Sequence, residues 1–284
     1  MKIIEIDGLK IGSEKPVRIM GVINLSPESF YEGSIKTGPG NILQTAIRQE
    51  KDGADIIDLG AKSTAPYLET EISPEEEKER AIKGIKIIKN EVNKPISIDS
   101  TRSLVVESAI KVGAKMINDI SGFHIDPKIA TIAREYDVPV IIGAHKIDRF
   151  SGNPTERVVK ALESSLKIAE KAKLDIGKII VDPDIGFHRI QDYKWYKIDA
   201  HILMNMKQII DFFNVPICIG LSRKSFIGKM LDINDPKERL YGSLGATSIA
   251  VLHGANLIRT HDVRETLETI RVIEKIKEFA FEKG

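Results

Sequence analysis

Polar side chains that could hold a small ligand follow eight short apolar runs of the sequence. A single Asp or Asn in such a place is commonly a turn or helix-capping residue. Eight such places together predict one polar pocket, because burial of that many polar groups is costly unless a ligand or a partner satisfies them. In the order of the runs, the residues are Asn24; Asp58; Asp99; Asn118 and Asp119; His145; Asp182 and Asp184; Ser222, Arg223 and Lys224; Arg259 and His261.

These residues divide by charge along the chain. Carboxylates and amides come mainly from the second, third, fourth and sixth runs, whereas the seventh and eighth runs supply cations. A ligand that matches this pattern presents hydrogen-bond donors at one end and an anion at the other. We predict the anion at Lys224, Arg259 and His261, because barrel phosphate sites commonly lie at the loops after strands seven and eight.

The apolar runs predict the strands that position these residues. The runs alternate with longer stretches of helical spacing, such as 73–92, where Ser73 is a predicted N-cap and Pro74 the first helical residue, and 263–283. This alternation predicts an α/β fold, a (β/α)8 TIM barrel, for which about 250 residues is typical. The carboxyl ends of all its strands would meet at one face. The eight runs are VRIMGVIN, ADIIDLG, KPISIDS, KMINDIS, VPVIIGAH, KIIVDPD, PICIGLS and NLIRTHD.

The opening IIEIDGLKI places an Asp-Gly pair between two β-prone segments. Such a pair favours a two-residue turn, so we predict a short N-terminal β-hairpin ahead of the barrel. Nothing resembling a linker or a low-complexity segment divides the sequence. We therefore predict a single domain over residues 1–284, with residues 1–16 as the hairpin extension.

Composition narrows the classes of function. The 42 Lys and Arg residues balance 41 Asp and Glu residues, which argues against an extended surface for nucleic acid. The one cysteine, Cys218, lies inside an apolar run, so neither a disulfide framework nor a cysteine metal site is expected. Early acidic residues and the lack of a long apolar stretch argue against a signal peptide or a membrane span. We expect a cytoplasmic protein.

Seven motifs together resemble the dihydropteroate synthase family. They occur in the family's order between Met20 and Val263. The resemblance implies a transferase that joins 6-hydroxymethyl-7,8-dihydropterin diphosphate to the amine of p-aminobenzoate and releases pyrophosphate, in folate or methanopterin biosynthesis. The motifs are MGVINLSPESF, ADIIDLGAKST, SIDS, MINDISG, VDPDIGF, GLSRKSFIG and RTHDV.

The resemblance also implies roles for individual residues. Lys224, Arg259 and His261 would be the catalytic residues, the last two as a clamp for the pyrophosphate, and Asn24 would help to position Mg²⁺. Ser225 at a helix start would meet the anionic end of the acceptor, and Arg223 would line that pocket with its planar face. A homodimer is expected, as the family often forms. The residues expected to bind the pterin are Asp99, Asn118, Asp182 and Lys224, and further substrate-binding candidates are Phe187 and Thr64.

Three segments depart from the family's usual pattern. The family's usual Ser-Thr-Arg-Pro loop is Ser63-Thr64-Ala65-Pro66 in this sequence. The family's usual Asp-Pro-Gly is Asp182-Pro183-Asp184. After the fifth strand, GAHKIDRF stands where the family usually has a Met-His-Met type of segment. Because these changes gather on the acceptor side, the acceptor could differ. An archaeal relative could use a ribofuranosyl-aminobenzene phosphate, and Asp184 in the acceptor site would disfavour a carboxylate. Two further alternatives are a pterin-dependent methyltransferase and a noncatalytic paralogue that binds the pterin diphosphate.

Overall fold

The computed structural model describes residues 1–13, 15–26, 38–62 and 72–281. The chain begins with an antiparallel hairpin of two strands, β1 (Ile3–Ile6) and β2 (Leu9–Gly12). The turn residues Asp7 and Gly8 have φ angles of 46° and 83°, as the two-residue turn of a tight hairpin requires. The predicted N-terminal hairpin is confirmed.

Eight parallel strands follow, each within the run predicted for it. They hydrogen bond in the order β8-β7-β6-β5-β4-β3-β10-β9, and a bridge between Val181 and Ile217 connects the two ends of the sheet. The predicted (β/α)8 barrel is confirmed. The strands are β3 (Arg18–Asn24), β4 (Ile56–Gly60), β5 (Ile96–Asp99), β6 (Met116–Asp119), β7 (Val140–Gly143), β8 (Ile179–Asp182), β9 (Cys218–Gly220) and β10 (Leu257–Thr260).

Helices connect the strands, and in two connections the described chain has a pair of helices. These pairs are α6 with α7 and α8 with α9. No helix of the described residues is long and apolar enough to cross a membrane. The helices are α1 (Pro39–Lys51), α2 (Pro74–Ile88), α3 (Ser103–Val112), α4 (Lys128–Glu135), α5 (Pro154–Lys171), α6 (Trp195–Met204), α7 (Met206–Phe213), α8 (Ser225–Leu231), α9 (Leu240–Leu252) and α10 (Val263–Phe281).

Helix α2 begins as predicted and ends earlier. The Ser73 side chain accepts a hydrogen bond from the backbone N–H of Glu76, and Pro74 is the first helical residue. The helix ends at Ile88, although the predicted segment extended to Val92. Turn residues follow, and Val92 is buried in the apolar core.

The core has two layers because the side chains of each strand alternate between the barrel interior and the surrounding helices. The outer layer lies between strands and helices and contains Ile57, Leu59 and Ile98. The inner layer fills the end of the barrel nearest the hairpin, whose Ile4, Ile6 and Ile11 pack into it. The strand residues of this inner layer are Met20, Ile56, Met116, Ile141, Ile180, Cys218 and Leu257.

Candidate active site

A ring of polar side chains lies directly above the apolar inner layer. Because interior-facing residues recur every second position, the polar residue of a strand lies two positions after its apolar one. Strand register then places Asp99 beside both Gly60 and Asn118, and Asp182 beside Gly143. The apolar and polar pairs are Ile56 and Asp58, Met116 and Asn118, Ile180 and Asp182, and Leu257 and Arg259.

Arg259 connects two carboxylates across this ring. Its Nε donates to Oδ2 of Asp58 at 2.7 Å, and its Nη2 donates to Oδ2 of Asp99 at 2.8 Å. Asn118 donates from Nδ2 to the same Asp58 oxygen at 3.2 Å. Asp58 was predicted at a strand end, without a role of its own. In the structure it is the fully buried residue that joins Arg259 to Asn118.

Asp99 has a strongly perturbed acidity. Burial raises its pKa to about 7, with Arg259 opposing the rise and Asp58, Glu77 and Asp119 adding to it. Asp119 is buried too, and its carboxylate accepts hydrogen bonds from the backbone N–H groups of Ser121 and Phe123. It therefore holds the turn after β6 in place.

Lys224 lies on the opposite side of the ring, next to β8. Its Nζ donates to the carbonyl oxygen of Ile185 at 2.7 Å and lies 3.8 Å from the centre of the Phe187 ring. Burial lowers the pKa of Lys224 to about 8, and the carboxylates of Asp182 and Asp184 oppose this shift. The structure thus brings Lys224, Phe187 and Asp182 together, as the sequence motifs led us to expect for a substrate pocket.

The segment 183–188 that carries Phe187 is supported from beneath by two buried residues. Asp199 on α6 accepts from the backbone N–H of Gly186 at 2.7 Å, and Nε2 of His188 lies 2.7 Å from the carbonyl oxygen of Pro183. Neither residue was predicted to matter. Asp199 could have been noticed in the sequence, because it is a charged residue among the apolar residues Ile198 and Ile202 of a helical segment. In the structure all three lie on the buried face of α6.

His261 follows β10 and lies beside β9. Its Nδ1 is 2.9 Å from Oγ of Ser222. Burial, together with the positive charge of Arg259, lowers the pKa of His261 to about 3. The imidazole is therefore neutral at pH 7 and can act in the predicted anion clamp as a hydrogen-bonding group, with Arg259 as the cation.

Arg223 occupies a different environment from the predicted one. Its Nε and Nη2 donate to the two oxygens of Asp262 at 2.9 and 2.7 Å, and its Nη1 donates to the carbonyl oxygens of Pro236 and Lys237. These contacts give Arg223 a structural role, because it supplies the donors for a half-buried carboxylate and two loop carbonyls. The predicted place of its planar face along the acceptor pocket stays a prediction.

Two of the remaining predicted residues, Ser225 and Asn24, belong to the described part of the chain. Ser225 is the first residue of α8 and is half-buried, and Asn24 pairs in register with Gly60 next to Asp99. Thr64 and the loop position Ala65 lie outside the described residues. Among the residues that the structure does describe, no group of three or more His, Cys, Asp or Glu side chains could hold a metal ion.

Comparison with known families agrees with this geometry. The family described as pterin binding enzyme matches residues 20–261. The chain therefore belongs to the pterin-binding enzyme family.

The relatives of this chain within the family include several dihydropteroate synthases. The dihydropteroate synthase of Bacillus subtilis is 34% identical over 256 residues, covering 90% of this chain and 87% of the relative. That of Synechocystis is 36% identical over 279 residues, covering 92% and 91%. These relatives give no support to methanopterin synthesis, to methyl transfer or to a noncatalytic paralogue.

Solved structures of dihydropteroate synthases superpose over almost the whole chain. The Coxiella burnetii enzyme in complex with pteroic acid has a TM-score of 0.82 and 31% identity, covering 98% of this chain and 100% of the other. The Xanthomonas albilineans enzyme with 4-aminobenzoic acid has a TM-score of 0.86 and 28% identity, covering 97% and 98%. The barrel is therefore shared with enzymes whose structures contain pteroic acid or 4-aminobenzoic acid.

Proposed function

We propose that this chain is a transferase that condenses 6-hydroxymethyl-7,8-dihydropterin diphosphate with p-aminobenzoate and releases pyrophosphate. The observation that carries the proposal is the charge division across the barrel mouth. Asp182 on β8 offers a carboxylate for the amino-pyrimidine edge of a pterin. Arg259, which shares an Asp58 oxygen with the pterin candidate Asn118, offers a cation for the diphosphate. Relatives that are dihydropteroate synthases over most of their length support the same assignment.

Lys224 would contact a ring acceptor of the pterin. An ammonium has three N–H donors, and the carbonyl of Ile185 uses one of them. Asp182 accepts the backbone N–H of Asp184 at 2.8 Å, which orients its carboxylate. A site built around such donors and acceptors rejects ring analogues that lack the matching groups.

Arg259 would hold the departing diphosphate. The contacts with Asp58 and Asp99 use two of its five N–H groups, so others remain for phosphate oxygens. In the reaction the methylene C–O bond breaks with its electron pair on pyrophosphate. The arylamine nitrogen forms the new C–N bond and then loses a proton to solvent. The protein positions both reactants and stabilises the charge of the leaving group.

Magnesium is part of the proposal as a resident ion of the diphosphate site. Mg²⁺ prefers oxygen ligands and often takes few from protein and several from substrate phosphates. Asn24 fits this chemistry, since its side-chain oxygen lies at the mouth 3.4 Å from the position of a Cβ built on Gly60. When bound, the ion would neutralise charge on the diphosphate.

A homodimer and a cytoplasmic location complete the proposal. Helix α10 exposes an apolar stripe of Val272, Ile276 and Phe279, which are 60%, 61% and 64% exposed, and Leu252 of the adjacent α9 is 58% exposed. Large exposed apolar patches commonly mark protein interfaces. The single, buried, free Cys218 suits a reducing compartment. Sedimentation velocity tests the dimer. We expect the unaltered chain to sediment as a dimer and its Ile276→Lys variant to sediment as a monomer.

Pyrophosphate release in the presence of Mg²⁺ tests the function. We expect release that depends on p-aminobenzoate and that falls about 100-fold or more in Lys224→Ala. Lys229→Ala is the matched control and should retain full activity, because Lys229 is an exposed lysine on α8, the helix that begins directly after Lys224. Pyrophosphate release only with the ribofuranosyl-phosphate derivative of the arylamine would contradict the proposal that p-aminobenzoate is the acceptor. No release with either amine would contradict the function.

A further inference from the structure

The carboxyl group of Asp184 is buried at the barrel mouth without a partner. The residue is 5% exposed, and no side chain or backbone group of the described residues forms a hydrogen bond or an ion pair with its carboxyl oxygens. A side chain that is this largely buried rarely has polar atoms without a protein partner, and the carboxyl oxygens of Asp184 remain accessible from the cavity that they line. An unpartnered carboxyl in a ligand-binding cleft is therefore a candidate for contact with the ligand.

The backbone around Asp184 holds this carboxyl in place. Asp184 has a φ of 53°, in the left-handed region that costs a residue with a Cβ about 1 kcal/mol. Its N–H donates to Oδ1 of Asp182 at 2.8 Å, which stabilises that conformation. On the neighbouring strand Gly143 leaves the room for the carboxyl, since a Cβ at that position would collide with Oδ2 of Asp184 and with the carbonyl of Ile120.

The carboxyl lines a cavity of about 520 Å³ at the mouth. This volume is within the range of small-molecule sites. The apolar wall of the cavity includes Ile120 and the ring of Phe187, the same ring that contacts Lys224. His145 and His188 form further parts of the wall, and burial lowers the pKa of each to about 4, so both are neutral at pH 7.

The surroundings of Asp184 favour its protonated form. Burial raises its pKa well above the ordinary value, the carboxylate of Asp182 on β8 raises it further, and Lys224 opposes the rise. Asp119 at the end of β6 and Asp99 on β5 also raise it. A neutral carboxyl offers one O–H donor and a carbonyl acceptor on adjacent atoms.

We propose that Asp184 is a specificity-determining residue of the pterin site, whose carboxyl pairs with a ring edge that carries an N–H donor next to an acceptor. The lactam edge of a pterin is such an edge. This inference rests on the proposed function, because it assigns the ring substrate of that reaction to the cavity wall. The assignment to the pterin follows from Asp182 and Lys224, which act on the Asp184 carboxyl electrostatically, and from Phe187, which lines the same cavity and contacts Lys224.

Two substitutions separate contact with the ligand from simple packing. Asp184→Gly removes the carboxyl and suits the positive φ, whereas Asp184→Asn keeps a donor and an acceptor of the same shape. Asp232→Gly is the matched control, because Asp232 has a φ of 55° and is exposed at the end of α8. Affinity for 6-hydroxymethylpterin is measured by calorimetry, the KM for p-aminobenzoate by pyrophosphate release, and folding by thermal unfolding.

We expect Asp184→Gly to bind 6-hydroxymethylpterin at least about tenfold more weakly, because a buried hydrogen-bonding pair is lost. Asp184→Asn should stay within about threefold of the unaltered chain, and Asp232→Gly should bind as the unaltered chain does. The KM for p-aminobenzoate should not change in either Asp184 variant.

Unchanged pterin affinity in a folded Asp184→Gly variant would overturn the inference. An effect confined to the KM for p-aminobenzoate would overturn it too, because that result would place the carboxyl on the acceptor side. If the glycine variant does not fold, Asp184→Ala replaces it in the test. An affinity of Asp184→Ala for 6-hydroxymethylpterin that is about tenfold weaker would support the inference, and an unchanged affinity would overturn it. Pterin binding without pyrophosphate release would contradict the proposed function and leave the inference standing. Absence of pterin binding by the unaltered chain would overturn both.

Discussion

The guanidinium of Arg259 on β10 donates to the carboxylate of Asp58 on β4 at 2.7 Å, between residues that lie 201 positions apart in the chain. Asp58 is fully buried, while the Arg259 side chain is 23% exposed. The pair joins two strands on either side of β3, and the same guanidinium donates to Asp99 on β5.

Replacement of Asp58 by Asn should destabilise the fold. Loss of one partner of an isolated buried ion pair costs about 3–5 kcal/mol. We expect a smaller loss of about 1–3 kcal/mol here, because Arg259 keeps its contact with Asp99. Urea unfolding measures the change. Asp211→Asn, which breaks the exposed pair of Lys207 and Asp211, is the control and should cost about 0–1 kcal/mol. Equal effects of the two substitutions would contradict the importance of the Arg259 pair.

Substrate affinity should depend on the charge of Lys224. With a pKa of about 8, Lys224 is protonated below that pH and loses its charge above it. A charged donor binds a ring acceptor more strongly than a neutral one, so the KM for the pterin substrate should be constant below about pH 7 and rise above about pH 8. Steady-state kinetics from pH 6 to pH 9 measures this.

Lys224→Arg is the control for that profile. Arginine stays charged throughout the range, so its KM should be higher overall but lack the rise above about pH 8. A rise of the same size in the arginine variant would assign the titration to another group.

Three histidines should remain neutral in mildly acidic solution. Burial lowers the pKa of His145 and His188 to about 4 and that of His261 to about 3. Histidine side-chain NMR should therefore show no protonation of these rings between about pH 5.5 and pH 8, whereas an ordinary histidine titrates near pH 6.5. Spectra of His261→Gln assign the His261 signals. A His261 midpoint near pH 6 would contradict its neutral role beside Arg259.

The hairpin should contribute measurably to stability. Ile11 is fully buried against the inner layer of the barrel, so Ile11→Ala should cost about 2–5 kcal/mol through lost burial and a cavity. Ile3 belongs to the same hairpin but is 47% exposed, and Ile3→Ala should cost less than about 1 kcal/mol. Chemical denaturation compares the two. Equal losses would show that the hairpin does not depend on contact with the barrel.

The barrel was predictable because each strand is a short apolar run, and polar residues at the ends of eight such runs can meet only where parallel strands end together. The partners of the polar groups were not predictable. Arg259 pairs with Asp58 only once the barrel closes. Arg223 binds Asp262 and a loop carbonyl, and both partners come from other parts of the sequence that only the folded chain brings beside it. Asp199 belongs to no motif, and its contact with Gly186 depends on how α6 packs under the loop.

The apolar inner layer, with the hairpin packed into it, makes the barrel blind-ended. Ile4, Ile6 and Ile11 fill the space at the end opposite the polar ring. Both substrates and both products therefore pass through a single opening. In the proposed assignment the pterin lies beside Asp182, just above the floor, and the acceptor lies near Ser225, so the pterin substrate would enter first. Depth in the barrel would thus impose an order of arrival on the two substrates.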